Sequence, residues 1–392
     1  MEITPNRNLW IDYLRSSITI LVVSHHSSLA YTTFAWFDNK AYINSTHAIV
    51  DTKRWIGLDI FENFNDVFFM SLMFLIGGLF LAHSIKRKGI NTFVKDRFFR
   101  LFIPFLFLGT FLMLVAYFPS YYVCYNKLDI LDYVKDFFGV ENWPVGPPWF
   151  IWVLFLFNIL LALFYKQLMR LSRIRIFNFS SFKEKPFLFF AILFTITWTL
   201  YVPLAFLFGA NKWIGIGPFD FQISRILLYF GYFLIGVFIG DTDFNKEIFS
   251  KQSTIVKRWW LWLLLSFIVY SMLTLISDPL KQLLKNNVIK EFQGWMIYFT
   301  IYVASCTISC IAFITTFRKI VVKENYWLNS LSDNAYLIYL VHYIFVVWIQ
   351  FLLMNFNIPA FVKFIVTFTL AVSLSWTTSI LLRKISIINK YL

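Results

Sequence analysis

Ala335-Tyr-Leu-Ile-Tyr-Leu-Val-His-Tyr-Ile-Phe-Val-Val-Trp-Ile-Gln-Phe-Leu-Leu-Met354 is a run of 20 residues in which His342 is the one side chain that titrates near neutrality. A bilayer core about 30 Å thick is crossed by about 20 predominantly apolar residues in a helix. This stretch therefore reads as a membrane span with an imidazole near its middle. Nine more runs of the same kind lie near Ser16 to Ala35, Phe64 to Leu81, Leu101 to Phe118, Pro148 to Tyr165, Phe187 to Phe208, Phe221 to Gly240, Trp259 to Ile276, Phe292 to Thr316 and Pro359 to Leu382. Composition agrees: the 392 residues are 59% hydrophobic and 14% charged, against about 45–50% and about 25% in soluble domains. An ordinary soluble enzyme is excluded, and 49 Phe, 15 Trp and 20 Tyr exclude a disordered or low-complexity chain. The expected fold is all-α and polytopic, with about ten transmembrane helices.

The net charge of +14 invites a nucleic-acid reading, but the basic residues sit in short segments between apolar runs. The expected partner is the lipid bilayer, with no nucleic acid. Of 35 Lys and Arg, 24 fall in the connections and tails on the side of the N-terminus and 9 on the other, while Arg225 and Lys363 lie within runs. By the positive-inside rule both termini are expected in the cytoplasm. Arg7, Asp12 and Arg15 precede the first run and no small-residue cleavage site follows it, so it reads as a retained helix. No connection is long enough for a second soluble domain, and one membrane domain is expected over 1–392. Cys124, Cys306 and Cys310 make neither a disulfide framework nor a zinc set. No metal is expected.

Ionisable groups at membrane depth are costly and mark functional sites. On the first span, Arg15 and His26 are eleven residues apart, a rise of roughly 16 Å and three turns plus about 20°. They share a face with Thr19 and Val22, while His25 lies about 80° away from the line of Arg15. His342 falls about 14 Å beyond Asp333, level with His26. The two imidazoles suit one cavity, a haem ligand pair, a proton relay or structural hydrogen bonding. Lys86, Arg87 and Lys88, then Arg97 and Arg100 at i, i+3, form a basic connection suited either to phosphates or to anionic lipid. Asn65, Asp66, Trp149, Arg225 and His342 are candidates for binding substrate. Arg225 can snorkel or pair with Asp66, and Lys363 reads as snorkelling outward. No Walker A, dinucleotide-binding or nucleophile-elbow pattern occurs. A transporter or channel for an anion or protons is an alternative to an enzyme, although no internal repeat accompanies it.

Asp12-Tyr-Leu-Arg15 with ten residues before His26, Phe68-Phe69 with Phe74-Leu-Ile-Gly-Gly78, Arg97-x-x-Arg100-Leu-x-x-Pro104, Pro148-Trp-Phe150 and the segment ending in His342 together resemble the acyltransferase 3 family of multi-pass membrane acyltransferases. Ser27-Ser-Leu-Ala-Tyr31 is most similar to its glucan-biosynthesis branch. The resemblance implies transfer of an acyl group, acetyl or succinyl, from cytoplasmic acyl-coenzyme A to a hydroxyl of an extracytoplasmic saccharide or other envelope acceptor, in a bacterial inner membrane. It implies His26 as the catalytic imidazole, with Arg15 as the family's motif arginine and Arg97 and Arg100 as its cytoplasmic arginine pair. On physical grounds Asp12 is expected to orient Arg15, Lys86 to Lys88 to join the arginines on the coenzyme phosphates, and His25 is a further catalytic candidate. Gly77 stands where Ser-Gly is usual, His25 adds a second imidazole, and the extracellular esterase domain of some members is absent. The membrane domain is therefore expected to complete the reaction itself.

Overall fold

The computed structural model describes residues 8–140, 143–144, 146–174 and 179–391. Arg7, counted above in the flank of the first run, lies outside them. Among the described residues the chain is predominantly helical. The first helices are α1 (Leu9–Leu29), α2 (Ile56–Gly78), α3 (Leu81–Lys88), α4 (Ile90–Arg97), α5 (Ile103–Phe107), α6 (Met113–Tyr125) and α7 (Ile130–Gly139). After them come α8 (Trp149–Leu163), α9 (Tyr165–Leu171) and α10 (Pro186–Phe208), then a hairpin of β1 (Trp213–Ile216) and β2 (Phe219–Gln222). The remainder is α11 (Ile226–Gly240), α12 (Thr254–Lys257), α13 (Trp259–Lys285), α14 (Glu291–Ile320), α15 (Tyr326–Leu353), α16 (Ala360–Leu382) and α17 (Ser386–Tyr391).

Among the described residues, eight helical segments are long and apolar enough to cross a membrane, and α8 with α9, bent by 84° at their junction, makes a further candidate. The protein is a polytopic, all-α membrane protein. At 21 residues α1 is long enough, yet Asp12, Arg15, His25 and His26 keep it out of that set. It is polar because it is central: it packs on α2, α14, α15 and α16. The apolar stretches of α2 and α11 are each 72% buried, whereas those of α13 and α16 are 22% buried and turn Phe267, Leu275, Leu370 and Leu374 outward. Helices that are apolar all round have no internal reason to choose one face, so their places follow from what the central helices leave exposed.

The basic connection between the second and third runs is not a loop. It forms α3 and α4, broken at Gly89, whose φ of +77° suits a residue without a Cβ. From α4 the chain continues through π-helical turns at Phe98–Phe102 and Leu108–Leu112 into α6, one element of 36 residues. The antiparallel hairpin, with Gly215 paired to Asp220, is an addition to the expected all-helical chain.

Two cations inside runs behave differently from a snorkelling side chain. Arg225, 4% exposed, donates two hydrogen bonds to Asp66, at 2.8 and 2.7 Å, and lies 5.5 Å from the Tyr302 ring. Lys363 does not snorkel: it is fully buried and donates to Asp51 at 2.6 Å and to the Met354 carbonyl at 3.3 Å. The cause is tertiary. The segment between α1 and α2 folds back so that the Asp51 amide bonds to the Ala30 carbonyl, which carries the carboxylate over α16.

Candidate active site

The α1–α15 contact is built from short polar side chains that let the backbones approach. Ser16 Oγ and Ser332 Oγ are 3.1 Å apart, and Ser332 also donates to the Asp12 carbonyl at 3.2 Å. At the far end Gln350 donates to the carbonyls of His26 and Ser27, at 3.0 and 3.3 Å, groups that the last turn of α1 leaves partly unsatisfied. Between these two ties the imidazoles of α1 and α15 meet.

His342 is fully buried, and its Nδ1 lies 2.7 Å from the Tyr339 carbonyl; its Nε2 lies 3.3 Å from His26 Nδ1. His26 Nδ1 is also 2.9 Å from the Val22 carbonyl. A carbonyl oxygen only accepts, so each Nδ1 carries its ring hydrogen, an assignment made from the partners. His342 Nε2 is then a bare acceptor, and His26 Nδ1–H is shared between it and Val22. One consequence follows for chemistry: the lone pair of His26 is on Nε2, which has no hydrogen-bond partner among the described residues. His25 turns the other way, as its angle along α1 requires. Its ring lies 5.0 Å from Phe69, its Nε2 is 3.7 Å from Glu62 Oε1, and its buried Nδ1 has no partner.

On the side of the N-terminal end of α1 is a cavity of about 580 Å³. Asp12, Arg15 and Thr19 of α1 line it, with Gly77 of α2, Arg97 and Arg100 from the end of α4 and its π-helical turn, Phe150 of α8 and Asp333, Tyr336 and Tyr339 of α15. Arg383, Asn389, Lys390 and Tyr391 complete the wall. Arg15 reaches Asp12 at 3.3 Å, Tyr336 donates to the Arg100 carbonyl at 2.7 Å, and Arg97 stands over the Phe93 ring at 5.1 Å. Five cations and two carboxylates make the cavity an anion site, with guanidinium groups shaped for phosphate oxygens. Part of its wall adjoins the histidine pair. Tyr339 lines the cavity and holds His342 through its carbonyl, and Thr19 lies two helical turns before His26, about 10 Å along the axis.

The predicted residues thus divide. Asp12, Arg15, Arg97 and Arg100 share the cavity, and His26 and His342 share a hydrogen bond. Lys86 and Lys88 are instead engaged with Asp241 and Asp96, each at 2.5 Å, and Arg87 is exposed on α3. Asp66 and Arg225 hold each other, Asn65 is fully buried without a partner for its amide, and Trp149 stands in a ring cluster with Phe74, Trp213 and Tyr229. Sequence reasoning missed Arg383 and Lys390, which it counted only as a basic tail. Their one signal was sign of charge on the side of Arg97.

A cation-lined cavity beside a partly buried imidazole pair frames the class: the chain belongs to the acyltransferase 3 family, whose acyltransferase domain matches residues 8–381. That membership favours an enzyme over the transporter alternative. Among curated proteins it is similar to glucans biosynthesis protein C of Salmonella heidelberg (strain SL476), Salmonella agona (strain SL483) and Salmonella enteritidis PT4 (strain P125109). Each is 30% identical over 138 residues, which is 35% of this chain and 30% of the relative. The matched stretch therefore spans less than a third of those relatives. No solved structure matches.

Proposed function

We propose that the protein transfers an acetyl or succinyl group from acyl-coenzyme A, bound from the cytoplasm, to a hydroxyl of a saccharide or other envelope acceptor on the opposite side of a bacterial inner membrane. The observation that carries this reading is the cation-lined cavity whose wall, on the side of Tyr339 and Thr19, adjoins the His26–His342 pair. Arg15, Arg97 and Arg100 hold the phosphates of the donor, and the thioester points inward. The relatives' part in glucans biosynthesis supports a saccharide acceptor.

His26 Nε2 removes the proton from the acceptor hydroxyl as its oxygen attacks the thioester carbonyl carbon. The imidazolium so formed keeps Nδ1–H on Val22 and His342, so no hydrogen bond is lost when the charge appears. As the tetrahedral adduct collapses, the carbon–sulfur bond breaks and His26 Nε2–H returns its proton to the leaving thiolate. The products are an ester and free coenzyme A. Calorimetric titration of the purified protein with coenzyme A tests the donor site: binding that Arg97→Ala and Arg100→Ala each weaken by about tenfold or more is expected. Absence of binding by the unsubstituted protein overturns the reading.

A further inference from the structure

Three features converge at the mouth of the cavity and are unused by the mechanism above. Arg383 follows the last turn of α16, and its guanidinium donates to the Asp333 carbonyl of α15, which fixes it against the cavity wall. The chain then reverses, so that Asn389, Lys390 and Tyr391 of α17 line the same cavity. Tyr391 stacks on Phe99 at 5.3 Å and 28°, on the π-helical turn between Arg97 and Arg100.

We infer that α17 is a strap across the donor site, in which Arg383 and Lys390 grip a terminal phosphomonoester of the ligand and the Tyr391–Phe99 stack holds them in place. The inference rests on the donor reading given above. The direction of the ligand assigns the phosphate. Thr19 and Tyr339 form the wall on the side of His26, and Arg383, Lys390 and Tyr391 lie at the end remote from the histidines. A thioester directed at His26 leaves the nucleotide of its carrier at the mouth. The outermost anion of that nucleotide is the ribose 3′-phosphate, a doubly charged group for which a fork-shaped guanidinium and an ammonium are suited. An anionic lipid headgroup offers related phosphate chemistry, but its phosphate is a diester of lower charge.

The test is calorimetry on the whole protein in phosphatidylcholine nanodiscs, with coenzyme A and 3′-dephospho-coenzyme A as probes. The unsubstituted protein should bind coenzyme A about tenfold or more tighter than the dephospho form, the range of charge-assisted hydrogen bonds to one phosphate. Arg383→Ala with Lys390→Ala should bring the two affinities together while that for the dephospho form is retained. Tyr391→Ala should shift the ratio in the same direction, and Tyr391→Phe, which keeps the stack, should leave it unchanged. An unchanged ratio in the double variant overturns the strap while leaving the donor site intact. Phosphatidylglycerol in the discs that weakens coenzyme A binding to the unsubstituted protein, but not to the double variant, overturns it in favour of a lipid headgroup. If the unsubstituted protein binds neither probe, the donor site itself falls, a result separate from both.

Discussion

His26 and His342 show how one hydrogen bond assigns two roles. If His26 is the proposed general base, His26→Ala should lower acyl transfer by about 10²–10⁴-fold with donor affinity unchanged. His342 touches His26 and acts as a positioning residue. His342→Leu should lower kcat, and His342→Gln, whose side-chain oxygen can still accept from His26 Nδ1–H, should recover part of it. Release of coenzyme A measured for both variants checks this, and equal rates in Leu and Gln would remove the hydrogen bond from the argument. The spacing of Arg15 and His26 on one stripe was legible from helical geometry, and so was the different direction of His25. The pairing of His26 with His342 was not, because the two lie 316 residues apart and only depth linked them.

Also at this scale, Lys363 and Asp51 are a fully buried ion pair. Losing one partner strands a charge away from water, which costs about 3–5 kcal/mol. Asp51→Ala should therefore lower the melting temperature of the purified protein clearly, and the double change Asp51→Leu with Lys363→Met should recover much of it. The sequence placed Lys363 in an apolar run and suggested snorkelling, since nothing local could announce a carboxylate from a segment folded back over α16.

At the scale of elements, α2 and α11 meet through glycines. A Cβ on Gly236 would lie 2.0 Å from the Leu75 carbonyl oxygen, and one on Gly240 would lie 1.7 Å from that of Leu79. Gly236 and Gly240 are four apart, the spacing that puts small residues on one face and lets two helix backbones touch. This contact sets the distance between α2 and α11 and so bears on the Arg225–Asp66 pair. Gly236→Ala should separate the two helices and destabilise the protein by about 1–3 kcal/mol, read as a lower melting temperature. Gly89→Ala meets no neighbouring atom within 4 Å, and its effect should come from the positive φ alone. The π-helical turn that carries Arg100 was not visible in advance, because Phe98–Phe102 has the composition of an ordinary helix.

For the whole molecule, the N-terminal end of α1, the Arg97–Arg100 turn and α17 gather on one side, around one cavity. The imbalance of Lys and Arg predicts that this side faces the cytoplasm. Lys88→Cys in a Cys124→Ser background, which leaves the buried Cys306 and Cys310, should resist an impermeant maleimide added to intact cells and react after permeabilisation. Labelling from outside would reverse the orientation and remove the cytoplasmic donor.

Taken alone, the sequence determined a helical membrane protein, because burying an unpaired backbone in hydrocarbon is forbidden and helices satisfy it locally. It also singled out Arg15, His26, Arg97, Arg100 and His342, since a charged or titratable group in such a setting has few bland uses. Tertiary structure alone decided which of these meet. Partners such as Asp51 for Lys363, His342 for His26 and Tyr391 for Phe99 are distant in the chain, and their encounters depend on how nearly featureless apolar helices pack. The same dependence explains Arg383 and Lys390: in sequence they are a basic tail, and only the return of α17 onto Phe99 makes them part of the wall of a site.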